Sequence, residues 1–325
     1  MTTLDPEAQV VIDGIRRAKT PPLSSCSIED ARRIYAKGLR MLDIAPDKSI
    51  VTEDRELAAG GPEVPVRLYR GADHAALAGR VLLWFHGGGY VVGSIETTDI
   101  VCRMFAASCD CTVVSVDYRL APEHPFPAAV DDAFAAYRGL LEELGPQAAP
   151  RIAVGGESAG ATLAIVTSLL ARDGALPVPA AQLLICPTAV GRRDTDSKRE
   201  YGEGFFLSRS DLEWFYDQYA RERDVDADFR FAPVAARTLA ALPRTLIVAA
   251  ECDPLHDDAA TLAGALTNAG VDVRFDDHAG LTHSFFHMGG FIARAREAHA
   301  QACAFLDEAW RLAAARAHDQ PILRA

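Results

Sequence analysis

The sequence predicts an α/β architecture, a mainly parallel central sheet of about eight strands flanked by helices and carrying a helical cap. Three observations point there. Short, continuously apolar runs alternate with helical stretches, as strands buried on both faces do when crossover helices join them. Two early runs alternate only loosely, in the manner of half-exposed antiparallel edge strands. One interval, between Cys186 and Arg244, is too long for a simple crossover and holds an aromatic-rich helical pattern.

Taken in order, Pro6–Lys19 is amphipathic, TPPLSS forms a turn, and Ser27–Leu42 reads as a second helix. Ser27, Glu29 and Asp30 place acceptors and negative charge at that helix start. Ile50–Leu57 and Val64–Arg70 are the edge strands. Val81–Phe85, Thr112–Val116, Ile152–Gly155, Gln182–Cys186 and Thr245–Ala250 are the buried ones, with Val271–Phe275 a weaker case. Helices are expected at Thr97–Ser108, Ala128–Leu144, Ala159–Arg172, Pro254–Ala269 and Gly290–Ala315. The long interval holds a charged loop, Gly191–Glu200, and a helix, Ser208–Ala220. The expected organisation is therefore an N-terminal helical cap segment (1–47), an α/β core (48–190 and 236–325) and a cap insertion (191–235). An extra surface helix unrelated to the site is the competing reading of the insertion.

Composition narrows the function. At 325 residues, with 49% hydrophobic and 24% charged, the chain is ordinary for a soluble globular enzyme. A formal charge of −12 argues against nucleic acid, because phosphate backbones need clustered Lys and Arg. No run of about twenty apolar residues could span a bilayer, and the first residues lack a secretory pattern. Seven cysteines suggest no disulfide framework, and a cytoplasmic location with reduced thiols is expected.

The chemistry starts at Gly156-Glu157-Ser158-Ala159-Gly160, where a buried strand gives way at once to a helix. This is G-x-S-x-G in the strand–turn–helix context it requires. Ser158 is the candidate nucleophile, exposed by a strained turn that leaves no room for side chains at Gly156 and Gly160. The helix behind it directs N–H groups and partial positive charge toward a developing oxyanion.

A second glycine-rich turn, Phe85-His86-Gly87-Gly88-Gly89-Tyr90, follows a strand. Three consecutive glycines cost backbone entropy and imply a geometric need. Gly87 and Gly88, with Ala159, are the expected N–H donors of an oxyanion hole. Gly89, Glu157 and His86 are supporting residues, His86 bracing the loop rather than carrying protons. A nucleotide loop fails on spacing, since Val92 stands where G-x-G-x-x-G needs glycine.

Serine needs an imidazole, and the imidazole a carboxylate, in the order Ser, Asp or Glu, His. Asp253 follows the strand Thr245–Ala250 and precedes a proline, so it can also serve as a helix N-cap. Glu251 is its rival, while Asp257 and Asp258 lie a turn into the helix. His283 is the expected base, on a loop after Gly280; His278 and His287 compete. His283 and His287 stand four apart, yet Ser284 replaces the glutamate of H-E-x-x-H and no third ligand is evident, so no metal is expected.

These motifs, with Asp117-Tyr118-Arg119-Leu120-Ala121-Pro122-Glu123 and Asp253-Pro254-Leu255, resemble the hormone-sensitive-lipase-like family of α/β hydrolases over roughly residues 60–310. The resemblance implies an esterase of short- to medium-chain acyl esters, no cofactor, a small-molecule ester as partner, a tendency to homodimers, and a structural, ion-paired role for Asp117–Glu123. Glu157 stands where aspartate or threonine is more usual. An amidase or peptidase on the same residues is the near alternative. A non-catalytic receptor is the distant one, since related receptors lack the histidine that is present here. Phe205, Phe206, Trp214, Phe215 and Tyr219 are candidates for acyl-pocket walls or for cap core.

Overall fold

The computed structural model describes residues 3–58, 63–75, 77, 79–221 and 223–319. Its sheet has eight strands: β1 (Ile50–Leu57), β2 (Val64–Gly71), β3 (Arg80–Phe85), β4 (Cys111–Val116), β5 (Ile152–Glu157), β6 (Ala181–Ile185), β7 (Arg244–Cys252) and β8 (Val273–Thr282), in the order β1-β2-β4-β3-β5-β6-β7-β8. The pairs β1–β2 and β2–β4 are antiparallel, and every pair from β4–β3 to β7–β8 is parallel. The exposure of β1 between its buried ends, Ile50 and Leu57, and the nearly unbroken burial of β3 to β6 follow from this split between edge and centre.

Strand order reverses at β3, whose neighbours β4 and β5 lie on opposite sides. Loops leaving β3 and β5 must diverge there, and such switch points open the crevice where open α/β sheets place their sites. The register Phe85↔Gly156 brings the ends of these two strands side by side. The glycine triplet and the candidate nucleophile are thus neighbours although about 70 residues apart.

The helices are α1 (Pro6–Ala18), α2 (Ile28–Leu42), α3 (Asp99–Cys109), α4 (Ala128–Leu144), α5 (Ala159–Asp173), α6 (Asp196–Glu200), α7 (Arg209–Ala220), α8 (His256–Asn268) and α9 (Ala293–Asp319). Two hydrophobic clusters form, one on each face of the sheet. One takes in α4, α5 and α8 with Leu83 and Val154, and the other takes in α3 and α9 with Trp84 and Leu183. Burial is nearly complete along α5, which explains a sequence apolar all round rather than striped.

The N-terminal helices and the interval 191–235 are stitched together. Ser24 N–H donates to Asp211 Oδ1 at 2.8 Å, and Arg16 reaches the Gly204 carbonyl at 3.3 Å. The interval is anchored from below by Asp258, buried on α8, which accepts the N–H groups of Ala189 and Val190 and pairs with Lys198 at 3.1 Å. Both segments line one cavity of about 790 Å³ that also holds Ser158 and His283.

Several boundaries differ from expectation by a few residues, as at α9, which spans Ala293–Asp319 rather than Gly290–Ala315, and three further differences have a local cause. The charged loop at Gly191–Glu200 contains the helix α6, capped by Thr195 and too short to show a period. Helix α8 begins at His256 rather than Pro254. Strand β8 starts later and runs through His278 to Thr282, because pairing with β7 resumes beyond an irregularity at Ala250/Cys252. At an edge one face meets solvent, so Asp276 and Asp277 are tolerated and the apolar signal fades.

Candidate active site

Ser158 sits between β5 and α5 with φ 55° and ψ −120°, a conformation non-glycine residues adopt only when their surroundings enforce it. The enforcement is visible. Ser158 N–H donates to the Ile185 carbonyl at 2.7 Å. A Cβ at Gly156 would lie 2.4 Å from the Gly160 carbonyl carbon, and one at Gly160 would lie 2.0 Å from the Phe85 oxygen. Both glycines are therefore fixed by backbone packing, as the motif predicted.

Three residues from three strand ends meet here. His283 Nε2 lies 3.1 Å from Ser158 Oγ, and its Nδ1 lies 2.7 Å from Asp253 Oδ2. The other oxygen of Asp253 accepts the Leu255 N–H at 2.9 Å, so one carboxylate both orients the imidazole and shapes the turn into α8. Burial works against charging His283, but the adjacent Asp253 carboxylate and, beyond it, Glu157 outweigh that cost and raise its pKa above the ordinary 6.5. Glu251, the rival acid, instead accepts the Gly280 N–H at 2.7 Å. His278 is buried against Phe285 on β8, away from Ser158.

The glycine triplet turns sharply over this group. Gly88 has φ 114°, and a Cβ there would lie 2.2 Å from the Val92 oxygen; at Gly89, with φ 59°, it would lie 2.2 Å from the Phe215 ring. Among the described residues, the N–H groups of Gly87 and Gly88 have no hydrogen-bond acceptor within the chain. The Ala159 N–H opens α5 and has no intrahelical acceptor either. His86 supports the turn from beneath: its Nδ1 lies 2.7 Å from the Gly87 oxygen, and its ring stacks on Tyr118 at 4.2 Å. Burial lowers the His86 pKa to about 4, leaving a neutral imidazole, which suits a brace.

The segment Asp117–Glu123 holds this turn by ion pairs and backbone bonds. Arg119 grips Asp132 with two nitrogens, and Ala121 N–H donates to the Tyr90 carbonyl. From α2, Arg32 donates to the carbonyls of Val91 and Ala121 and pairs with Glu123 at 2.7 Å. One arginine thus links the N-terminal helices to the glycine turn.

Sequence reasoning missed the partners of His287. Its Nε2 is ion-paired with Glu157 and its Nδ1 lies 3.8 Å from Asp43, just past the end of α2, all three side chains being buried. Burial disfavours charge on His287, but Glu157, with Asp43, raises its pKa to about 10. The cost of burying Glu157 is likewise overcome, chiefly by His287, and its carboxyl titrates below the ordinary 4.5. Both groups are therefore charged at neutral pH. The histidine contribution is complete below its unfolded pKa and fades as pH rises toward 10; the glutamate contribution fades on acidification. His283 and His287, four apart, face different carboxylates. Among the described residues, the group tight enough to hold a metal is Cys186, Asp253 and His283, and two of those already bond each other.

His287→Ala leaves Glu157 charged and unpaired in the interior, and a loss of about 3–5 kcal/mol is expected in denaturant unfolding. Glu157→Gln combined with His287→Gln should cost clearly less than the two single changes added. Additive costs would mean the two side chains do not act as a pair.

Of the five cap aromatics, Phe206 and Phe215 line the cavity, joined by Leu212 and Tyr216. Tyr219 is core, stacked on Tyr90 at 3.9 Å, and Phe205 packs on Tyr201. Trp214 is half-buried against the core.

Fold and site together define an α/β hydrolase with a serine at its nucleophile turn. The chain belongs to the alpha/beta hydrolase fold family whose model matches residues 82–287, and within it to the hormone-sensitive-lipase-like group. It is 38% identical over 301 residues to an ethyl acetate hydrolase of Pseudomonas putida, spanning 89% of this chain and 92% of that one. The carboxylic ester hydrolase LipN of Mycobacterium tuberculosis is 38% identical, with coverages of 89% and 79%. Among solved structures, an ester-hydrolase from the metagenome of Lake Arreo, complexed with a bipyridine phosphonate derivative, superposes with a TM-score of 0.89 at 33% identity, covering 94% of this chain and 99% of that one. An esterase of the archaeon Pyrobaculum calidifontis gives a TM-score of 0.84 at 31% identity, with coverages of 94% and 98%.

Proposed function

We propose that this carboxylic ester hydrolase cleaves short- to medium-chain acyl esters through an acyl-enzyme on Ser158. His283 takes the hydroxyl proton as Ser158 attacks, and Asp253 fixes the tautomer and stabilises the imidazolium. The N–H groups of Gly87, Gly88 and Ala159 receive the oxyanion, and His283 protonates the leaving alcohol. Water then repeats the sequence on the acyl group. The observation that carries this reading is the chain of contacts Asp253–His283–Ser158, at 2.7 and 3.1 Å. Residues 1–47 and 191–235 act as a cap that walls the acyl pocket.

Covalent labelling of Ser158 by a fluorophosphonate separates this reading from a receptor, which would leave the serine unreacted. Parallel ester and amide substrates separate it from an amidase. Acidification should lower kcat/KM as His283 gains its proton, with a midpoint above pH 6.5 because its pKa is raised. A profile flat to about pH 5 would exclude a histidine base. Among the described residues no helix is long and apolar enough to cross a membrane. A cytoplasmic location and a homodimer complete the proposal, the latter read by light scattering.

A further inference from the structure

The cavity above Ser158 changes character along its length. Near the serine its walls are apolar, including Leu212, Phe215 and Leu255. The same lining includes Arg17, Lys19, Arg33 and Lys37 of the N-terminal segment, all exposed and so on its solvent side. Among the described residues, the one carboxylate in the lining is Asp211, which is buried and bonded to the Ser24 N–H. Four cations against one committed acid is the reverse of the whole chain, where 45 acidic residues outnumber 33 basic ones.

Three of these four cations are not used by the fold. Arg33 pairs with Asp30 at 2.7 Å. Among the described residues, the side chains of Arg17, Lys19 and Lys37 have no hydrogen-bond or ion-pair partner. Arginines elsewhere, such as Arg67, Arg119 and Arg230, are held by carboxylates. Long side chains left unpaired at a cavity mouth concentrate positive potential where a substrate enters, and a cleft lined by one sign attracts the opposite charge. Beside them Val10, Met41 and Phe291, 55, 66 and 47% exposed, extend the apolar wall to the same rim.

We propose that the ester hydrolysed here bears a negative charge at the end remote from the scissile bond: an apolar acyl or alkoxy chain terminated by a carboxylate. The ester group sits at Ser158, the chain fills the apolar length, and the terminal anion meets Arg17, Lys19 and Lys37. This rests on the esterase reading above and adds the substrate class to it.

The test compares kcat/KM within two pairs at low ionic strength. For the acyl side the pair is p-nitrophenyl hydrogen suberate and p-nitrophenyl octanoate; for the alkoxy side it is 8-acetoxyoctanoate and octyl acetate. The expected result is a preference of about tenfold or more for the anion in one pair, shrinking at high salt. In the combined variant Arg17→Glu, Lys19→Glu and Lys37→Glu, the ratio within that pair should fall to about one or invert. No anion preference in either pair, with p-nitrophenyl butyrate still hydrolysed, overturns the proposal and leaves the esterase reading intact. No hydrolysis of butyrate removes the esterase reading itself. A preference that survives the triple charge reversal also overturns it. So does co-sedimentation with phosphatidylglycerol vesicles in the absence of any soluble preference, which would assign the rim to an anionic lipid surface.

Discussion

Ser158→Ala is expected to lower kcat/KM for p-nitrophenyl acetate or butyrate by about 10⁴–10⁶-fold, because nucleophile, base and acid act as a unit. The Cβ and the backbone contacts that hold the turn are unchanged by this substitution. Ser158 N–H still meets the Ile185 carbonyl, and Gly156 and Gly160 still pack at backbone distance. The variant should thus unfold at about the temperature of the parent, so that the loss reports chemistry. Whatever rate remains would come from the unfilled oxyanion site and from binding. Near-parental turnover in pure protein would place the nucleophile elsewhere.

Asp253→Asn should cost about 10⁴-fold in kcat, for a reason the geometry makes specific. One carboxylate oxygen accepts the Leu255 N–H and the other faces His283 Nδ1. Asparagine can keep the first bond through its carbonyl oxygen, which preserves the turn into α8. Its NH₂ then points at the imidazole and demands that Nδ1 be an acceptor, so Nε2 carries the proton and cannot take one from Ser158. The structural and catalytic duties of Asp253 therefore separate in one substitution. Stability should hold while activity collapses; the pH midpoint of any residual activity should move down, since the carboxylate that raises the His283 pKa is gone. A variant that unfolds, or one that keeps most of its kcat, would contradict this assignment.

The parts of the site that need an unusual backbone were legible in the sequence. Gly87, Gly88 and Gly89 advertise a turn in which two positive-φ residues and two sub-van-der-Waals Cβ positions leave only glycine acceptable. Ser158 is marked by the glycines around it for the same reason. Asp253 and His283 were legible by their places after strands, because a parallel sheet delivers every such loop to one edge. His287 carried no such mark. Its partners, Glu157 and Asp43, lie 130 and 244 residues away, and a buried ion pair leaves no periodicity behind. Strand β8 was foreshortened because an edge strand does not need the apolar run that the central strands show.

By itself, then, the sequence determined the α/β alternation, the serine at a strained turn and the glycine loop beside it, since steric demands on the backbone are local and restrict residue type. The tertiary structure alone decided which histidine neutralises Glu157 and how unpaired cations of the N-terminal segment gather at the cavity mouth. Those are pairings between distant segments. Charge and hydrogen bonding act through space, and only the folded chain sets the distances.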